Sequence, residues 1–309
     1  MAAHADFSGV IPPVVTPLTA DRELDRASLK RSIDRMIDRG VHGLFLLGSS
    51  SEVVFCTDSR RREIVETGIE AAAGRVPVLV GVIDAQTERM VEHARAAREL
   101  GADAVVATAP FYALGGPDEI EANFRAIREE VDLPLFAYDL PVCVHKKLDA
   151  DMLVGLGSEG VLAGVKDSSG DDVNFRFLVQ KNRAAGSPLK LFTGHEVVVD
   201  GAFLSGADGV VPGLGNVDPY GYVQQYKAYR EGDWDAVAQI QDRLALLMTI
   251  TSVTEGAVGF GAGVGAFKTA LQLLGVFETN QMPRPVRALE GENVEAVRNV
   301  LVAAGMLAR

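Results

Sequence analysis

The sequence predicts an α/β fold, a (β/α)8 barrel with a C-terminal helical extension, and three observations carry that expectation. From about Val10 to about Val211, eight short apolar runs alternate with longer amphipathic segments. Most of the short runs are continuous rather than alternating, as strands covered on both faces should be. With 309 residues, 48% of them apolar and only 6% aromatic, the chain can bury one large aliphatic core. Eight strands is the number that closes a barrel. An open doubly wound sheet shares the alternation, but no GxGxxG follows the first run.

Taken in order, the apolar runs are Val10–Val15, Gly43–Leu47, Val76–Val80, Ala104–Ala107, Leu133–Tyr138, Val161–Lys166, Leu189–Phe192 and Gly209–Val211. Pro77 and Pro134 sit at strand entrances, where a missing amide donor is tolerated. Between the runs, Leu29, Ile33, Met36 and Ile37 form one helical stripe, and Ile64, Val65 and Ile69 begin another. Ala94, Ala97 and Leu100 form a third that stops at Gly101, a C-cap residue; Phe124, Ile127 and Val131 form a fourth. After Asp218 the strands stop. Helical segments are expected around Tyr220–Arg230, Trp234–Met248, Phe267–Leu274 and Val294–Ala304. The expected division is therefore a barrel core at 1–218 and, at 219–309, the last barrel helix with an extension packed on the barrel. Gly261-Ala262-Gly263-Val264-Gly265-Ala266 fits a loose glycine-rich pattern but comes late, and reads as a loop feeding a helix.

The chemistry is expected at the C-terminal ends of the strands. The fifth run closes on Tyr138 and the sixth on Lys166. An ammonium at the end of a buried strand is costly, so the site should favour the neutral amine, which attacks a ketone to form a Schiff base. If the two strands are adjacent and parallel, about 4.8 Å apart, phenol and amine come within hydrogen-bond reach. Gly164, on the same face as Lys166, leaves interior space. A lysine snorkelling to the rim and a core tyrosine are the plainer alternatives. The second run leads into Gly48-Ser49-Ser50-Ser51-Glu52, whose hydroxyls and amides suit a carboxylate, with a polar surface turn as the alternative. The fourth leads into Pro110-Phe111-Tyr112 and the seventh into Thr193-Gly194-His195-Glu196.

These residues carry a resemblance. Pro12-Pro13-Val14-Val15-Thr16-Pro17, Tyr138-Asp139-Leu140-Pro141 and Gly164-Val165-Lys166-Asp167-Ser168-Ser169-Gly170 resemble the dihydrodipicolinate synthase/N-acetylneuraminate lyase family of class I pyruvate-dependent aldolases, over nearly the whole chain. The resemblance implies a homotetramer, a dimer of dimers, in which Lys166 forms a Schiff base with pyruvate or another 2-oxo acid. It implies that Tyr138 shuttles protons, helped by Ser50, and that Ser49 and Ser50 bind the 2-oxo acid carboxylate. Tyr112 matches a tyrosine that enters the neighbouring subunit's site, and the loops at Gly194 and Val211 line the pocket. Two positions depart from the family pattern. Ser51 replaces the second glycine of Gly-Thr-Thr-Gly-Glu, which would be strained if positive φ is needed there. Cys143 stands where the synthases carry a carboxylate-clamping arginine, with His145 or Lys146 as the nearby candidates to replace it.

Composition excludes other classes. A formal charge of −12, with 42 acidic against 30 basic residues, disfavours nucleic acid or anionic membrane as a partner. Two cysteines and five histidines show no metal-ligand spacing, and no metal or other cofactor is expected. Met1–Asp6 has no secretory signal character, and no apolar run is long enough to span a membrane, which makes the cytoplasm the default compartment. The leading expectation is a Schiff-base lyase or aldolase joining or parting pyruvate and an aldehyde, on a sugar-derived 2-oxo acid, with His195 and Glu196 touching its hydroxyls. Taken by themselves, those two residues read more plainly as a solvated loop. The competing readings are a deoxy sugar acid dehydratase, a dihydrodipicolinate synthase, and a catalytically silent metabolite-binding barrel.

Overall fold

The computed structural model describes residues 7–308; Met1–Asp6, read above as lacking a secretory signal, lie outside the described residues, as does Arg309. The strands are β1 (Gly9–Val10), β2 (Leu44–Leu46), β3 (Val78–Gly81), β4 (Ala104–Ala107), β5 (Leu135–Asp139), β6 (Gly164–Asp167), β7 (Lys190–Thr193) and β8 (Gly209–Val210). The barrel helices are α1 (Arg26–Asp38), α2 (Asp58–Ala72), α3 (Thr87–Leu100), α4 (Pro117–Glu130), α5 (Pro141–Val144), α6 (Ala150–Ser158), α7 (Asp172–Ala184) and α8 (Val199–Ser205). Four more follow: α9 (Pro219–Glu231), α10 (Trp234–Met248), α11 (Gly263–Leu273) and α12 (Glu292–Ala303).

All strand pairs are parallel, and the sheet runs in the order β1-β8-β7-β6-β5-β4-β3-β2. The ends meet: Val14 N donates to Phe45 O at 2.8 Å and Phe45 N to Pro12 O at 3.0 Å, closing the barrel. Pro12 and Pro13 explain why β1 is short, since each lacks an amide for the ladder. The buried Asn216 side chain reinforces the seam, donating to Pro13 O at 2.8 Å and accepting from Val15 N at 3.0 Å.

Helices begin where acceptor side chains precede apolar stripes. Asp25, Thr57 and Asp171 cap α1, α2 and α7 by accepting the amides of Ser28, Arg60 and Asn174. Gly101 ends α3 with φ 93°, as its position predicts. The glycine-rich stretch at Gly261 does feed a helix, which starts at Gly263. The interior of the barrel is aromatic at its base, where Phe136 meets Phe7 and Phe192 edge-on. Gly164 does not leave open space there. A Cβ on it would fall 2.4 Å from Phe136 Cε1, so the absent side chain is what admits the ring.

The C-terminal helices pack on the barrel. Arg31 of α1 donates to Val276 O at 2.7 Å, and Thr279 donates to Leu18 O at 2.7 Å. Lys268 of α11, fully buried, reaches Glu52 behind the β2 loop at 2.5 Å. No described helix is long and apolar enough to cross a membrane.

Candidate active site

Strands β5 and β6 set Tyr138 directly opposite Lys166 and Asp139 opposite Asp167. Alternation along a strand sends the first pair to one face and the second to the other. Tyr138 and Lys166 are 3% and 6% exposed, so the phenol and amine end a dry stack rather than a solvent rim. The expected hydrogen bond between them is not made. Lys166 Nζ lies over the Tyr138 ring, 4.1 Å from its centroid, and 5.2 Å from that of Phe45. A lysine chain reaches past the ring edge, and the electron-rich faces attract its head. Gly194 makes this possible, because a Cβ there would sit 3.1 Å from Lys166 Cε and collide with Ser168 Oγ.

The Tyr138 hydroxyl turns instead to Ser49, whose Oγ is 3.4 Å away. Ser50 lies elsewhere on the mouth. A Cβ at Gly213 would be 3.3 Å from Ser50 Oγ and 3.4 Å from Glu196 Oε2, so these two groups face the same small space. Ser51 turns inward, accepting from Thr16 at its carbonyl and donating through Oγ to Val14 O. The feared strain at Ser51 is absent. The left-handed residue of the turn is Glu52, φ 60°. Its carboxylate is held by Lys268, and burial pushes Glu52 up while it pushes Lys268 down, each opposed by the other's charge.

Beyond β7, Glu196 accepts from Leu214 N at 2.6 Å through Oε1. The residue is partly exposed as a whole, but its carboxyl is enclosed, and burial pushes it up to about 7, against the Leu214 amide and the Lys166 charge. Its neighbour His195 points away, with Nδ1 3.1 Å from Asp172 at the start of α7. Val211 is buried just past β8, its amide donating to Thr193 O at 2.8 Å. Tyr112 is 97% exposed with φ 75° and does not enter its own chain's site. Beside Ser49 lies a cavity of about 290 Å³ lined by Val53, Val54, Phe111, Cys143 and Phe260, with no charged side chain to clamp a second carboxylate.

One element of the site escaped the sequence reading. Lys147, between α5 and α6, places its ammonium between Asp139 and Asp167, contacting the first and lying 3.1 Å from the second. Leu148 N completes Asp139, while Ser169 N and Oγ complete Asp167 at 2.8 and 2.6 Å. The signal was present in Tyr138-Asp139 and Lys166-Asp167: two strand ends each follow an inward polar residue with an aspartate.

The model of the dihydrodipicolinate synthetase family matches residues 6–304. The chain belongs to this family. A DapA-like lyase of Halobacterium salinarum, uncharacterised, is 32% identical over 97% of this chain and 94% of its own. A probable 2-dehydro-3-deoxy-D-pentonate aldolase of Escherichia coli, YjhH, is 29% identical over 97% and 98%. Among solved structures, the family member YagE of E. coli in complex with pyruvate superposes with a TM-score of 0.92 at 26% identity, covering 98% of this chain and all of that one. The family's barrel and the enzymatic character of its members extend to this chain.

Proposed function

We propose that this enzyme is a pyruvate-dependent lyase or aldolase acting through a Schiff base on Lys166, on a sugar-derived 2-oxo acid. The observation that carries the reading is a buried lysine packed on the face of a buried tyrosine, at the C-terminal ends of adjacent barrel strands. The family relatives named for a lyase and an aldolase, and the pyruvate bound to YagE, support it.

In this reading the free amine attacks C2 of pyruvate, and loss of water leaves an imine. Tyr138 gives its phenol proton to the departing hydroxyl; the iminium then draws electrons from C3, whose proton passes to the Tyr138 phenolate, and the resulting enamine attacks the aldehyde carbon. Ser49 replaces Ser50 as the hydroxyl that relays protons with Tyr138, since it is the one in contact. The β2 turn uses the Ser51 and Glu52 amides internally, on Gly48 O and Ser49 O. The amides and hydroxyls of Ser49 and Ser50 then serve the pyruvate carboxylate. Cys143 and the uncharged cavity weigh against a substrate with a second carboxylate at that position, and hence against dihydrodipicolinate synthesis.

Two chains meet around Tyr112 in this reading, and pairs of such dimers form a tetramer. The exposed Tyr112 and Leu114, close in sequence to Phe111 of the cavity, form an apolar surface that a second copy would cover. The free thiols of Cys56 and Cys143 suit a reducing, cytoplasmic compartment. The barrel core, 1–218, carries the chemistry, and 219–309 buttress it.

A panel of aldehydes (glycolaldehyde, both glyceraldehydes, erythrose) with pyruvate, and of 3-deoxy-2-oxo sugar acids without it, tests the assignment. Condensation or pyruvate release is expected. Loss of water from deoxy sugar acids without pyruvate release would make the enzyme a dehydratase, and no turnover at all would favour a binding barrel.

A further inference from the structure

The site holds a carboxyl that the scheme above leaves unused. Glu196 follows β7 and is immobilised twice: Leu214 N donates to Oε1 at 2.6 Å, and Gln241 Nε2 donates to its carbonyl at 3.1 Å. Gln241 is itself buried and fixed, accepting from Val199 N at 2.9 Å and from Gln225 Nε2 at 2.9 Å. Such a framework holds one side chain in one orientation. With Oε1 engaged, Oε2 faces the space around Gly213 that it shares with Ser50 Oγ. The carboxyl also lies within electrostatic reach of the Lys166 amine.

We propose that Glu196 is a second catalytic residue, serving the aldehyde half of the reaction while Tyr138 serves the pyruvate half. In synthesis, the enamine carbon forms a bond to the aldehyde carbon, the C=O π electrons move to oxygen, and that oxygen takes the proton of the Glu196 carboxylic acid. In cleavage the carboxylate removes the proton from the C4 hydroxyl, the new carbonyl forms, and the C3–C4 bond electrons flow toward the iminium nitrogen. The two proton transfers are thereby assigned to two groups, one on β5 and one in the loop after β7. The inference rests on the Schiff-base reading of Lys166.

Burial supports this role, because it pushes the Glu196 carboxyl up to about 7, where both protonation states are populated near neutrality. Tyr222, whose hydroxyl is 3.5 Å from the Glu196 carbonyl, is buried behind it and remains a neutral neighbour, its own titration pushed well up by burial.

The test compares Glu196→Gln, Glu196→Asp and Tyr138→Phe in three assays on the intact enzyme. These are borohydride trapping of pyruvate on Lys166, exchange of the pyruvate methyl protons with D₂O followed by NMR, and condensation with whichever aldehyde of the panel above the wild type uses fastest. For Glu196→Gln, trapping and exchange are expected within about threefold of wild type, while condensation falls by about 10²–10⁴-fold, the range of a proton-transfer group. Glu196→Asp should recover part of the loss. Tyr138→Phe should lose exchange as well as condensation. Retained trapping shows that each variant is folded. The proposal is overturned if Glu196→Gln condenses normally, if its exchange falls as far as its condensation, or if the wild type condenses no aldehyde. Failure of the wild type to trap pyruvate would instead remove the Schiff-base reading itself.

Discussion

Asp139 and Asp167 stand directly opposite each other at the ends of β5 and β6, with the Lys147 ammonium between their carboxylates. Like charges directly opposite in a sheet repel, and these two are 0% and 5% exposed. Burial pushes Asp139 up to about 6, against the pull of Lys147 and with the repulsion of Asp167. Burial alone would lower Lys147, but the two carboxylates raise it. The trio pins the backbone that carries Tyr138 and Lys166 on its other face, so the register of that pair depends on it.

Removing the cation should therefore cost stability in a pH-dependent way. Lys147→Met is expected to lose about 1–3 kcal/mol at pH 8 in urea denaturation, discounted because Lys147 is partly exposed. Without the ammonium that opposes it, burial leaves Asp139 titrating higher in the folded chain than in the unfolded one, whose value is about 4. The folded form then holds the extra proton, so its stability falls as pH rises from about 4 through the raised value. The deficit of the variant should shrink between pH 8 and pH 5. A deficit that stayed constant would show that Lys147 contributes packing rather than charge.

Glu52 and Lys268 tie the β2 loop to α11 with almost no exposure, 2% and 0%, and Glu52 Oε1 has no partner of its own. A pair this dry gives little net stability, but breaking it strands a charge. Lys268→Met should cost about 3–5 kcal/mol, and adding Glu52→Gln should restore much of that. Chemical denaturation of the single and double variants measures the coupling. Additive losses would mean that the two side chains do not act as a pair.

Ser51 stands where the family resemblance implies a glycine, yet its backbone is not left-handed and its hydroxyl is bonded to Val14 O. Ser51→Gly should thus destabilise the chain by about 1–2 kcal/mol, from a lost buried hydrogen bond and a freer unfolded chain. It should not tighten pyruvate binding. A Tm that rises on substitution would show that the serine is strained after all.

How much of this was legible beforehand follows from the range of each interaction. Strand positions and the C-terminal helices were readable because local apolar runs and periodicity mark them. Tyr138 and Lys166 were readable because a polar residue ending a buried strand is locally anomalous. Helices α6, α7 and α8 left weaker marks: Gly155 and Gly157 dilute the first, and the last has seven residues. The choice between Ser49 and Ser50 turned on which hydroxyl the closed barrel brings to Tyr138, and adjacent residues of one turn look alike in sequence. Lys147 and Lys268 were invisible as partners, since their carboxylates lie on other elements and only packing of the whole barrel joins them. The proposed place of Tyr112 in another copy is a relation outside the single chain.

The central claim is that the Lys166 nitrogen becomes covalently bound to C2 of pyruvate, and reductive trapping tests it most directly. The enzyme is incubated with pyruvate and borohydride, digested, and mapped by mass spectrometry. One adduct on the peptide containing Lys166, absent from Lys166→Ala, is the expected result. Unmodified protein, or an adduct that persists in Lys166→Ala on a different lysine, would contradict the account.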